Sequence, residues 1–113
     1  MEKPVTLSNF VIAQTDLESI YLIATRFLDL DDNEIFLSFE DGWYSDDAIC
    51  YNDLFDRGLS TKVLEDFAKR YHIFLMVNED GETELKSTTP VSLLQTIIAV
   101  YFWIDEQNFP VPS

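Results

Sequence analysis

The residues able to do covalent or acid–base chemistry are few and poorly placed for it. Nucleophilic catalysis needs a nucleophile, a base beside it and a group that orients the base. The chain has one histidine, His72, and one cysteine, Cys50. His72 stands between Tyr71 and Ile73, where a helical pattern gives way to a strand pattern, which is the setting of a packed or edge histidine. Cys50 lies in Ile49-Cys50-Tyr51 with acids on both sides, and negative neighbours keep a thiol protonated and unreactive. The glycines are dispersed, so no loop is built to cradle phosphate. Carboxylates can act as acid and base, but no spacing singles out a pair. The sequence therefore points to a non-enzymatic protein with no cofactor.

The acids also offer a metal-loop pattern. Asp29-Leu30-Asp31-Asp32-Asn33-Glu34, running on to Glu40, sets oxygen side chains at the first, third, fifth and twelfth positions of a calcium-loop pattern. Glu34, however, stands where the sharp turn wants Gly. The alternation of Ile35, Leu37 and Phe39 also claims the segment for a strand. No metal site is expected.

What sets the chain apart is the stretch from Phe27 to Asp56. It holds Asp29, Asp31, Asp32, Glu34, Glu40, Asp41, Asp46, Asp47, Asp53 and Asp56 and no Lys or Arg, with Phe27, Phe36, Phe39, Trp43, Tyr44, Tyr51 and Phe55 threaded through it. The whole chain has 21 acidic and 7 basic residues, a formal net charge of −14. Charges this dense repel one another and raise each other's carboxyl pKa values. Rings beside acids make an interface composition, the rings supplying contact area and the acids orientation. The expectation is a basic partner protein, met by those ten acids as a charge array with Trp43 and Tyr44 as anchors. The plainer alternative is a solvated face. Direct binding to nucleic acid or to an anionic membrane is disfavoured, because both demand a basic surface.

The elements that must position these residues follow from periodicity. Residues 1–14 read as an N-terminal extension or edge strand, best at Phe10–Ala13. Thr15-Asp16-Leu17-Glu18 fits a capping box, and Leu17, Ile20, Tyr21, Ala24, Phe27 and Leu28 recur at helical spacing, predicting a helix over 16–28. Glu34–Glu40 alternates as a strand, and Asp41-Gly42 is a hairpin dipeptide. Trp43–Asn52 reads as a returning strand in preference to a short helix capped by Ser45. Ser60 caps a helix striped by Val63, Leu64, Phe67, Ala68 and Tyr71. Ile73–Val77 reads as a buried strand, Asn78–Gly81 as a turn and Glu82–Ser87 as a more polar strand. Thr89-Pro90 starts a last helix that runs to about Glu106, with 107–113 as an extended tail. The fold class expected is α+β, a single two-layer domain ordered helix-strand-strand-helix-strand-strand-helix, with a mixed or antiparallel sheet. Ile97–Ile104 is apolar all round its helix, so Phe102 and Trp103 are candidates for a homodimer contact.

In charge and size the chain is similar to small acidic inhibitors of nucleic-acid enzymes: nuclease immunity proteins, uracil-glycosylase inhibitors, anti-restriction and anti-CRISPR proteins. That resemblance implies that a basic protein is bound and its nucleic-acid-binding or active site blocked. The order of elements, best from Ser60 to Glu106, resembles the type III secretion chaperone and YbjN-like fold. That resemblance implies a dimer that holds another polypeptide through apolar surface, and it brings no catalytic residues.

A chain of 113 residues is long enough for one core that buries roughly 65% of the unfolded surface. One cysteine cannot form an internal disulfide, which suits a reducing compartment. Met1-Glu2-Lys3-Pro4 does not read as a signal peptide, and the longest apolar run falls well short of the ~20 residues that span a bilayer. A soluble, cytoplasmic protein is expected. Raising salt from about 0.05 to about 0.3 M should increase the melting temperature by screening the acid repulsion. A flat or falling response in a thermal melt would mean that the charges are well dispersed.

Overall fold

Alternation dictates the central strand. In Glu34–Glu40, Ile35, Leu37 and Phe39 are buried while Phe36 and Glu40 are exposed, the period-two pattern of a strand with one covered face. In the computed structural model, residues 11–14 and 20–108 are described, with 11–14, Arg26 and Asn108 described by backbone alone. The elements are β1 (Val11–Gln14), β2 (Tyr21–Leu28), β3 (Glu34–Glu40), β4 (Trp43–Ser45), α1 (Ile49–Asp56), α2 (Val63–Tyr71), β5 (Phe74–Val77), β6 (Thr83–Ser87) and α3 (Pro90–Asn108). The strands form one six-stranded sheet in the order β1-β2-β3-β4-β6-β5, every neighbouring pair antiparallel. The class is α+β, two layers, with the three helices on one face.

The inner face of the sheet is set by register. Ile23 pairs with Leu37, and Phe39 lies between Tyr21 and Tyr44. Tyr44 continues the row to Ser87, and Leu75 pairs with Leu85. Against this face α3 buries Leu93, Leu94, Thr96, Ile97, Val100, Tyr101 and Ile104, and α2 buries Leu64, Phe67 and Ala68. Each fully buried Leu or Ile contributes about 1.5–3 kcal/mol relative to exposure. Within β2, the fully buried Thr25 donates its hydroxyl to the Ile35 carbonyl at 2.8 Å, so that hydroxyl is not left unpaired.

Three expectations are corrected. The helix over 16–28 is, from Tyr21 onward, the strand β2; its capping box lies outside the described residues. Tyr21-Leu22-Ile23-Ala24-Thr25 satisfies both periods at once, and long-range pairing with β3 decides for the strand. The returning strand over 43–52 stops at Ser45 and α1 begins at Ile49, so strand and helix share the segment. The strand at 73–77 is not buried: β5 is an edge, with Phe74, Met76 and Val77 exposed. The remaining elements fall where their patterns place them, except that α2 starts at Val63 with Lys62 as its N-cap, so Ser60 does not cap the helix and its hydroxyl accepts the Lys62 amide at 3.3 Å in the turn before it. In the hairpin turn Asp41 (φ 52°) and Gly42 (φ 83°) are both left-handed as a type I′ turn requires. Val11–Gln14 is the opposite edge strand, and α3 runs on to Asn108; residues 109–113 lie outside the described residues.

Candidate functional site: the open face of the sheet

Much of the acid-rich stretch is turn chemistry. Between β2 and β3, Asp29 Oδ1 accepts the amides of Asp31 (2.8 Å) and Asn33 (3.0 Å) while the Asp29 amide donates to the Asn33 carbonyl. Asp32 in the same loop sits at φ 62°, a left-handed conformation that Asp tolerates better than most residues. The identical device recurs before β6, where Asn78 Oδ1 accepts the amides of Asp80 and Glu82. Short polar side chains that bond their own backbone are what such loops need.

Asp46 is the extreme case. It is fully buried, and its carboxylate accepts three amides: Oδ1 takes Ala48 (3.0 Å) and Leu85 (2.9 Å), and Oδ2 takes Cys50 (3.1 Å). Its own amide donates to the Leu85 carbonyl at 3.2 Å. One side chain thus closes the β4–α1 turn, in which Asp47 and Ala48 are both left-handed (φ 54° and 64°), and fastens it to β6. Burial pushes the Asp46 carboxyl up to about 6 from its ordinary 3.8, with the three amides pulling the other way. Burial, then the Asp46 charge, holds the neighbouring Cys50 thiol well above its usual range, so this cysteine is inert.

The opposite, helix-free face of the sheet gathers what a partner could touch. Register places Leu22, Ser38, Ser45, Lys86 and Phe74 in one row across β2, β3, β4, β6 and β5. Flanking rows hold Ala24 beside Phe36, Glu40 beside Trp43, and Glu84 beside Met76. Ser38 donates to Asp47 Oδ1 at 2.9 Å and Ser45 to Glu84 Oε1 at 2.7 Å. Partial desolvation raises the Asp47 carboxyl and the charges of Glu84 and Glu40 add to it, while Ser38 and Lys86 oppose. Glu40, Asp47 and Glu84 are therefore one electrostatic group, with Lys86 its single neighbouring cation in that balance. Trp43, half-buried, meets Phe74 edge-on with ring centroids 5.2 Å apart at 87°. Leu22, Phe36, Phe74 and Met76 are exposed around the group.

The ten acids and two anchors expected from the sequence do not form one surface. Glu40, Asp47 and Trp43 lie on the open face. Asp31 and Asp32 are exposed in the β2–β3 loop at one end of β3, beside half-buried Asp29 and Glu34, and Asp41 is exposed in the turn at the other end. Asp53 and Asp56 belong to α1 on the helical side. Asp53 is half-buried and pairs with Arg57 at 3.3 Å; burial raises its carboxyl, with the Tyr101 hydroxyl and Arg57 opposing. Among the described residues that buried hydroxyl makes no hydrogen bond, yet it lies close enough to act on Asp53. Tyr44 and Asp46 cannot serve as anchor and charge: Tyr44 is 1% exposed, its ring 4.6 Å from that of Phe39, and Asp46 is 0% exposed.

The sequence reading missed Glu84, Phe74 and Met76. The inward Thr83 and Leu85 already imply that Glu84 and Lys86 point out, but only the β4–β6 pairing brings them to Trp43 and Asp47. On α3, Phe102 is 68% exposed and Trp103 half-buried. Among the described residues no group of three His, Cys, Asp or Glu is arranged to hold a metal ion, and no helix is long and apolar enough to cross a membrane. No family profile, curated protein or solved structure matches the chain.

Asp46→Ala leaves three buried amides without an acceptor and should cost about 3–5 kcal/mol in a denaturant melt. Asp46→Asn should be milder and should change the pH dependence. The folded carboxyl value, about 6, lies above the unfolded 3.8, so its contribution is complete below pH 3.8 and is lost as pH rises through about 6. The stability difference between the native chain and Asp46→Asn should therefore shift toward the variant by about 3 kcal/mol between acid and neutral pH. A constant difference would mean that the carboxyl is not raised.

Proposed function

We propose that the chain is a non-enzymatic acidic protein that binds a basic partner protein through the open face of its sheet and blocks that partner's nucleic-acid-binding or active site. The observation that supports this most is the grouping of Glu40, Asp47 and Glu84 beside exposed Phe36, Phe74 and half-buried Trp43. Glu40 and Glu84 each act on Asp47 at a cost in free energy that Lys86, 3.9 Å from Glu84, offsets only in part, and an incoming guanidinium or ammonium offsets the rest while the rings exclude water. Asp31, Asp32 and Asp41, exposed at the two ends of β3, extend the negative field beyond the contact and steer a basic partner from a distance. A carboxylate array edged with apolar side chains imitates the phosphates and bases of a nucleic acid, which is why a nucleic-acid-binding cleft is the expected target.

A second reading rests on α3. Phe102 is the most exposed ring on the helical side, and it borders grooves shared with Leu28 and Leu30 on one flank and Tyr71 on the other. Under that reading the chain is a dimeric chaperone-like or adaptor protein holding another polypeptide through apolar surface.

Affinity purification from the source cell, followed by binding kinetics with the captured protein, separates the two. For the first reading the captured protein is basic, and Glu40→Gln, Asp47→Asn and Glu84→Gln together slow association by about tenfold or more, as does added salt. Asp47→Asn is suitable because Asn also tolerates the left-handed backbone. Trp43→Ala should act on dissociation instead. For the second reading, salt matters little and Phe102→Ala abolishes capture while the triple variant does not.

A further inference from the structure

We infer that two copies of this chain associate through β5, edge to edge and antiparallel, to make one continuous sheet. β5 ends the sheet and, among the described residues, pairs only with β6. Its outer edge carries backbone donors and acceptors that no described strand meets. Natural edges are usually guarded by a charge, a proline or a bulge. Phe74-Leu75-Met76-Val77 has none of these, and its register with β6 is unbroken. Phe74 is 57%, Met76 50% and Val77 69% exposed, in a chain that has ample polar residues to place there.

Charge selects the occupant. The entry to β5 is cationic: Lys69 and Arg70 end α2, in a chain with 7 Lys and Arg residues. The exit is anionic, with Glu79 and Asp80 exposed on the turn and Glu82 after it. Two copies paired antiparallel set each cationic end against the other's anionic end, whereas parallel pairing sets like against like. A uniformly basic peptide would gain at one end and lose at the other.

Geometry then restricts the register. Directly opposed residues in an antiparallel pair share a face, so the two-fold axis must pass through a residue and not between two. An axis at Leu75 sets Phe74 against the second copy's Met76 on the open face. It extends the Trp43–Phe74 contact with a sulfur–aromatic pair from each side. A ladder this short buries less than the ~1,200 Å² of stable complexes, so the dimer should be concentration-dependent, with a Kd on the order of 10–100 µM.

Sedimentation velocity on the full chain from about 5 µM to about 500 µM tests this. Monomer should give way to dimer across the range, Met76→Lys should weaken the dimer at least about tenfold, and Phe102→Ala should leave it unchanged. Leu75→Cys, with the buried Cys50 retained, should yield a disulfide-linked dimer under mild oxidation, because the axis brings the two new thiols together. A monomer at the highest concentration overturns the inference. So does a dimer that Met76→Lys leaves intact, or one that Phe102→Ala removes.

Discussion

A single buried carboxylate holds this architecture in place. Asp46 follows a strand of only three residues, β4, which by itself offers too few ladder bonds to fix the two halves of the sheet. By accepting amides from Ala48, Cys50 and Leu85, it does three things at once. It closes a turn with two successive left-handed residues, starts α1, and fastens β6 beside β4. Two non-glycine residues in that conformation cost roughly 1–2 kcal/mol each, and burying a carboxylate costs more. The three bonds reduce these costs as a set, since an amide left without its acceptor would be buried and unpaired, although burial still outweighs them for the charged form and keeps the carboxyl raised.

The same device explains why acids crowd the middle of the chain. Asp29, Asp41, Asp46 and Asp47 all stand where the backbone reverses, either as acceptors for local amides or in left-handed conformations. Their abundance first reflects the number of reversals packed between β2 and α1. Glu40 and Glu84 are not explained this way. Both lie within strands, on the open face, and neither supports a turn. The acids that turn chemistry leaves unexplained are thus fewer than the sequence count, and of these Glu84 is met by Ser45 at 2.7 Å and by the Lys86 ammonium at 3.9 Å.

What was legible in the sequence divides along the same line. The alternation of Ile35, Leu37 and Phe39, the Asp41-Gly42 turn, the stripe on α2 and the Thr89-Pro90 start of α3 are local signals, and each reads correctly without knowledge of the fold. Tyr21–Leu28 misleads because its apolar residues fit a helix as well as a strand, and the tie is broken by pairing with β3. Ile73–Val77 misleads differently. A short apolar run is normally central, and nothing local says that β5 has a neighbour on one side only. The open-face group was out of reach for the same reason: Trp43 and Phe74, or Asp47 and Glu84, meet only through the β4–β6 pairing, whose partners are about forty residues apart.

Asp46 and Asp47 show how one pairing makes both core and surface. They are adjacent and chemically identical, yet one is sealed inside and the other faces outward. The chain passes from strand to helix between them, and Asp46 takes the inner position because the Leu85 amide and carbonyl meet it there. That contact fixes the height of β6 against β4, and so brings Glu84 within 2.7 Å of Ser45 while Ser38 holds Asp47. The spacing of the outer carboxylates is a consequence of the inner one. Two of the outer carboxylates are therefore pre-organised: Asp47 is held by the Ser38 hydroxyl and Glu84 by the Ser45 hydroxyl, so each has less side-chain freedom left to lose in any further contact.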